Sequence, residues 1–316
     1  MALTLHSVSR DRWHRLSADA PFQQSWSYGA AAEALGADVL RLEVREGPAT
    51  IALAQGIGRR IGIRTTLFGR GPLWIGEPDD GLRADVLQVL RRETRGIALV
   101  TPHANDAGAV RCAGFFAAMT PATVAEWHLG PDMRARIHGK WRNRLCAAEA
   151  SGVTLLRSRR GDDLRWLIRL DREQQRRKGF RALPPAFLQA WGAYDRRSVR
   201  LTIASFKGER VAAILVLSHG TRATYHIGWS GEQGRRLSAH NLLLWDAARR
   251  LSDDGASVLD LGLVDTETAP GLARFKLGTG AMPVRTGGTW IGLPRLPVLR
   301  RARAPGYPAC PHGSRA

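Results

Sequence analysis

The sequence predicts an α/β (α+β) protein made of two similar lobes, each a mixed sheet flanked by helices. Three observations carry this expectation. Runs that alternate apolar and polar residues are followed by longer segments of helical periodicity, the pattern of layered α/β architecture. The order hairpin, strand, helix, glycine, strand occurs twice along the chain. A length of 316 residues is more than one compact core usually holds and suits two.

After a short helical segment near 25–35, residues 39–45 (VLRLEVR) alternate, Glu46-Gly47-Pro48 turns the chain and 50–54 returns it, a hairpin signal. A further strand is expected at 65–68, ahead of the Gly71-Pro72 break. Leu82, Val86, Leu87, Val89 and Leu90 give 82–94 a helical pattern, Gly96 stops it, and 97–100 reads as a buried strand. Lobe two repeats this. Residues 199–206 alternate, Lys207-Gly208-Glu209 turns, 211–217 returns, and 221–229 makes a third strand. A helix over 238–251 then places Leu242, Leu243, Trp245, Ala248 and Leu251 on its apolar face, and Gly255 precedes a strand at 257–261. Residues 107–115 follow the last strand of lobe one as 269–278 follow that of lobe two. The pattern is an internal duplication. It divides the chain into a first lobe at 1–135, interlobe helices at 136–197, a second lobe at 198–295 and a basic, disordered tail at 296–316 rich in Pro, Arg and Gly.

The net charge of +19 has two readings. It marks an anionic partner, whether phosphate-bearing substrate, RNA or membrane face, or it reflects a bias toward arginine. Only Lys140, Lys178, Lys207 and Lys276 are lysines, so 43 of the 47 basic residues are arginine. Cys112, Cys146 and Cys310 are widely spaced and odd in number, which argues against a disulfide framework or a zinc site and for the reducing cytoplasm. The first 16 residues lack an apolar stretch of the secretory type. No apolar run reaches the roughly 18 residues a membrane span requires. A cytoplasmic protein without metal is the expectation.

The chemistry is concentrated between Arg222 and Gly288. Here a strand ends in a loop rich in Gly, Arg and Ser, and a helix starts at about Ser238, a good N-cap residue. Free backbone N–H groups and the helix dipole favour an anion there, with Arg235 and Arg236 adding charge. Ser238, Ala239 and Asn241 would then face a phosphate-bearing co-substrate. The sequel is more specific: Leu259-Asp260-Leu261-Gly262 ends a strand, and 271–280 (GLARFKLGTG) forms a short helix that leaves through glycines.

Together with 240–251 (HNLLLWDAARRL), these segments resemble the C-terminal lobe of the Fem-type (FemAB) transferases and their acetyltransferase-like relatives, built from tandem GNAT-like lobes. Gln23, Ser25 and Trp26 resemble that family's N-terminal Gln-Ser/Thr-x-x-Trp-like opening, and 140–153 is similar to its basic interlobe helix. The likeness spans about residues 20–292 and is sharpest over 237–280. It implies an amine attacking an activated acyl carbon, either an acyl-CoA (acetyl-CoA) thioester or an aminoacyl-tRNA ester. The tetrahedral oxyanion so formed needs a cation or N–H donors. Lys276, in the Phe-Lys-x-Gly match, is the candidate cation. The acceptor is a small-molecule or cell-envelope precursor amine, and tRNA and a peripheral membrane surface are candidate partners.

Other side chains enter as candidates. Asp260 ends a strand and would orient the amine or act as a weak base of raised pKa. Tyr225 and His226 alternate on their strand, so only one faces a cleft; Tyr225 is the catalytic candidate, and His226 reads more readily as structural. Trp141, Arg142 and Arg144 on the interlobe helix are candidate substrate contacts. No sustained heptads occur over 162–197, so the coiled-coil arm of some Fem-type enzymes is missing. The competing class is a non-catalytic basic protein that binds RNA or an anionic membrane on the same scaffold.

Overall fold

Alternation and capping place the first lobe's elements in the computed structural model, which describes residues 2–94, 96–180 and 182–294. Strand β1 (Leu3–Ser7) leads into helices α1 (Arg10–Leu16) and α2 (Trp26–Glu33); strands β2 (Asp38–Glu46), β3 (Ala49–Ile61), β4 (Ile63–Gly69) and β5 (Leu73–Trp74) follow. Helix α3 (Asp80–Glu93), β6 (Ile97–Thr101), α4 (Ala107–Cys112) and β7 (Phe116–Met119) complete the series. Ser25 caps α2 by accepting from the Tyr28 N–H at 3.3 Å, and Asp79 caps α3 from the Leu82 N–H at 2.8 Å.

The chain then runs through β8 (Thr123–His128), α5 (Gly139–Glu149), β9 (Thr154–Ser158), α6 (Gly161–Lys178) and α7 (Pro185–Tyr194). The second lobe contains β10 (Val199–Phe206), β11 (Glu209–His219), β12 (Arg222–Ser230), α8 (Glu232–Arg236), α9 (Ala239–Asp253), β13 (Val258–Leu263), α10 (Pro270–Leu277), β14 (Met282–Arg285) and β15 (Thr289–Gly292).

The two sheets have the same plan. The first is ordered β1-β2-β3-β4-β6-β15-β7, with β5 paired to β3; the second is β9-β10-β11-β12-β13-β8-β14. In each, a parallel pair (β4 with β6, β12 with β13) follows the hairpin, and the strand after it leaves one slot before the edge. That slot is filled reciprocally: β8 crosses into the second sheet and β15 into the first. The linear division into lobes is therefore crossed twice. Residues 123–128 precede the interlobe helices yet complete the second sheet, and 289–292 follow the second lobe yet complete the first. The tail expected at 296–316 lies outside the described residues.

A shared apolar layer fixes the lobes together. Phe22, Ala31 and Ala32 of the first lobe are buried against Phe187, Leu188 and Trp191 of α7 and against Leu201, Ile203 and Leu215 of the second sheet. Phe22 stacks on Trp191 with centroids 5.2 Å apart. Beside it, fully buried Gln24 ties two strands to this corner. Its Nε2 donates to the carbonyls of Gln55 (3.0 Å) and Gly69 (2.8 Å), and its Oε1 accepts from the Gln55 N–H. A buried amide satisfied at both ends fixes a corner more tightly than apolar contact alone.

Candidate active site

Strands β12 and β13 pair for only three residues, Arg222 to Val258, Ala223 to Leu259 and Thr224 to Asp260. Beyond Thr224 a bulge shifts β12 against β11: Val216 pairs with Tyr225 and Leu215 with Ile227, leaving His226 as the extra residue. Bulges bend their strand, and β12 parts from β13 here. The opening is filled by Tyr225, His240 and Phe275. The Tyr225 hydroxyl is 2.8 Å from His240 Nε2, and the His240 and Phe275 rings meet edge to face at 5.5 Å. Burial raises the Tyr225 pKa above the ordinary phenol value and lowers His240 to about 4. Tyr225 thus keeps its proton and His240 stays neutral at physiological pH.

Gly228 is required beside this pair. A Cβ there would lie 1.6 Å from the Tyr225 hydroxyl and 2.8 Å from His240 Cε1. Gly228→Ala is expected to expel the hydroxyl from His240 and to cost about 1–2 kcal/mol in urea denaturation, the loss of one buried hydrogen bond. Unchanged stability would mean that the ring has room to turn.

At the parting itself stands a buried charge cluster. Lys276, 7% exposed, donates from Nζ to the Leu263 carbonyl at 2.7 Å. Burial lowers its pKa to about 8, although Asp260 nearby acts in the opposite direction. The Asp260 carboxylate accepts from the Gly262 N–H (2.7 Å) and from Arg70 Nη1 (2.5 Å). Gly262 has φ +76°, a conformation that suits glycine and turns its N–H back to that carboxylate. Arg70 also reaches Glu126 on β8 at 2.7 Å, and Arg222 pairs with Glu126 at 2.6 Å. Burial pushes the Glu126 pKa up, but Arg222 and Arg70 outweigh it and hold the carboxyl below its ordinary value.

The structure thus brings Lys276 and Asp260 together and assigns Tyr225 to the other side of the sheet. Ala223 and Tyr225 pack in the helix-side core with Leu259 and Leu261, whereas Asp260 projects to the opposite face. Asp260 is no free base, because both its oxygens are engaged. His226 packs its ring 6.2 Å from Phe22, and burial lowers its pKa to about 4.

The loop before α9 differs from expectation in one respect. Ser238 occupies the N-cap position, but at φ 52° its side chain makes no capping bond. The Asn241 N–H is taken instead by the Ser238 carbonyl at 2.9 Å. Residues 232–236 form α8, in which Arg236 pairs with Glu232 and Arg235 donates to the Ser230 carbonyl at 2.7 Å; both arginines remain exposed. Ala239 is buried, and Asn241, 4% exposed, carries an Nδ2 without a partner among the described residues. That orphaned donor in the first turn of α9 fits an acceptor atom of a bound co-substrate.

Trp141 corrects its sequence reading. It is a core residue, packed on Trp127 and Phe275 at 6.3 and 6.0 Å, and presents no face to a substrate. Arg142 donates to the Ile137 carbonyl at 2.9 Å, while Arg144 is exposed on the same helix. Sequence reasoning missed Arg70, Glu126, Arg222 and the pairing role of His240. The first three meet only through tertiary approach of β4, β8 and β12, and no local spacing signals them. Among the described residues no cluster of three or more His, Cys, Asp or Glu is placed to hold a metal, and no helix is long and apolar enough to cross a membrane.

With this geometry established, likeness to known proteins places it. Residues 132–282 match the model of the acetyltransferase (GNAT) domain family. No curated protein matches the chain in sequence. Among solved structures, FemX shares 12% identity with a TM-score of 0.77, over 92% of this chain and 97% of that one. The C-terminal domain of a putative lysylphosphatidylglycerol synthetase from Agrobacterium fabrum shares 14% at a TM-score of 0.55, over 90% and 92%. A tandem GNAT protein from the clavulanic acid biosynthesis pathway shares 14% at 0.51, over 92% and 98%. At such identities the likeness is one of fold. The fold is that of FemX and of a tandem GNAT protein, the two-lobe plan the repeated element order predicted.

Proposed function

We propose that this chain is an N-acyltransferase that moves an acyl group from acyl-CoA to an amine acceptor by direct attack. The observation that carries it is a buried lysine fixed where two parallel strands part, inside the segment that matches the acetyltransferase family. In this reading Arg235, Arg236, Ala239 and Asn241, with the Ser238 backbone, would receive the phosphate-bearing end of the donor at the start of α9.

The acceptor amine forms a bond to the acyl carbon as the carbonyl electrons move onto oxygen, where the Lys276 ammonium offsets the charge. When the C–S bond breaks, the proton lost by the attacking amine passes through solvent to the departing sulfur, so protons balance. Tyr225, in the core on the other side of the sheet, takes no part in this step. Asp260 is a positioning residue: it holds Arg70 and sets the field on Lys276. The names of the neighbours, FemX and a lysylphosphatidylglycerol synthetase domain, support a cell-envelope precursor or lipid-linked amine as acceptor.

The test is donor consumption by the purified protein with acetyl-CoA, longer acyl-CoAs and charged tRNA. Consumption of an acyl-CoA is expected. Consumption of charged tRNA alone would replace the donor, and consumption of none would remove the enzymatic reading. Since Lys276 loses its proton near pH 8, kcat/KM is expected to fall above that pH. Lys276→Arg, always charged, should abolish the fall; a fall unchanged in that variant would assign it to another group.

A further inference from the structure

One sheet face joins the Lys276 site to exposed apolar surface. Residues paired directly across strands project to the same side of a sheet. Asp260 pairs with Glu126, which pairs with Met282 on its other flank; two residues along β8, Val124 pairs with Leu263 and with Val284. These six side chains therefore share a face, opposite the core formed by Leu259, Leu261, Ala125 and Trp127. Leu263 is 62% exposed and Met282 58%, with Val124 buried between them.

Simple alternation would turn Leu263 away from Asp260. The extra residue between Asp260 and Leu263, at the φ +76° glycine, rotates it back onto the Asp260 face. The fold thus aims a large aliphatic side chain into water beside the charge cluster. Leu263 is also the residue whose carbonyl holds Lys276 Nζ at 2.7 Å. An acyl carbonyl at Lys276 would have the rest of its chain begin at Leu263. Met282 lies two strands farther on, about 10 Å across the sheet, a reach that an acetyl group does not use.

We propose that the strip Leu263–Val124–Val284–Met282 binds the aliphatic chain of a long-chain acyl donor, and that Leu263 and Met282 set the preferred chain length. The choice of donor rests on the acyl-transfer reading above; the strip's affinity for an aliphatic chain does not. Both exposed residues accept serine without loss of core packing, so Leu263→Ser, Met282→Ser and the double variant of the full chain are expected to melt as the parent does.

Two measurements test the proposal. The parent is expected to favour palmitoyl-CoA over acetyl-CoA in kcat/KM, and the double variant to lose about tenfold of that ratio, the scale of one or two methylene contacts. A parent that favours acetyl-CoA, or a ratio unchanged in the variant, overturns it. Independently of turnover, 11-(dansylamino)undecanoic acid is expected to bind the parent and to bind the double variant about tenfold more weakly. If no acyl donor is consumed but the probe still distinguishes parent from variant, the strip stands and the reaction falls. If the probe does not distinguish them, the strip falls whatever the turnover. Loss of binding to anionic phosphatidylglycerol vesicles, with monomeric probe binding intact, would make the strip a membrane contact and overturn the assignment.

Discussion

Lys276→Ala is expected to lower kcat by tenfold or more while the protein remains folded, the effect of removing one partner of a developing oxyanion. The same substitution should leave stability at pH 7 unchanged or improved. The Lys276 pKa drops from its ordinary 10.5 to about 8 on folding, so at pH 7 the folded state holds a charge that burial disfavours. The difference corresponds to about 3 kcal/mol. Because the folded pKa is the lower one, the unfolded chain binds more protons between pH 8 and 10.5, and stability rises with pH across that window. The alanine variant should show a flatter profile there. Urea denaturation at pH 7 and 10, beside single-turnover kinetics, checks both halves. A variant with parental kcat would remove Lys276 from the mechanism, and a sharp loss of stability at pH 7 would make it structural. A lysine retained at such a cost is the pattern of a group kept for its chemistry.

The repeated plan of the sheets was legible in the sequence because periodicity reports one face of one element at a time. The alternating runs became β2, β3, β10 and β11, and the helical patterns became α3 and α9, within a few residues. What periodicity could not show was the exchange of β8 and β15. Both are short strands, and where each one pairs is a tertiary choice between two similar slots. The site divides in the same way. Lys276 and Asp260 stand close along the chain and were found by local motif. Arg70 sits in a Gly-Arg-Gly-Pro turn of the first lobe, and nothing near it in sequence says that two acids from the second sheet will close on it. Trp141 was misplaced because an aromatic on a basic helix looks like a ligand contact until its neighbours Trp127 and Phe275 are known. Ser238 was misread because residue type does not report φ, and at 52° its hydroxyl cannot return to the helix.

Arg70→Ala is expected to cost about 3 kcal/mol or more in urea denaturation, on the scale of breaking a buried ion pair by removing one partner. Its side chain is 15% exposed, and its carboxylate partners Glu126 and Asp260 are 10% and 7% exposed. Removal leaves Glu126 with Arg222 alone, and leaves Asp260 with only the Gly262 N–H and the more distant Lys276. Neutralising the acid that loses its ion-pair partner in the same background (Arg70→Ala with Asp260→Asn) should recover much of the loss, while Glu126 keeps Arg222. Arg70→Lys should recover little, since one ammonium cannot reproduce the two separate N–H contacts of the guanidinium. The pH dependence gives an independent sign. The Glu126 pKa is held below its ordinary value by Arg222 and Arg70, so this carboxylate contributes stability above its unfolded pKa and loses it as pH falls through the folded one. Without Arg70 the folded and unfolded values approach each other, and the acid limb of the stability profile should flatten. A parental midpoint and an unchanged acid limb would mean that the lobes are held by the Phe22–Trp191 layer and the exchanged strands β8 and β15 without help from the charge cluster. In that case the charge cluster would serve only to fix Asp260 beside Lys276.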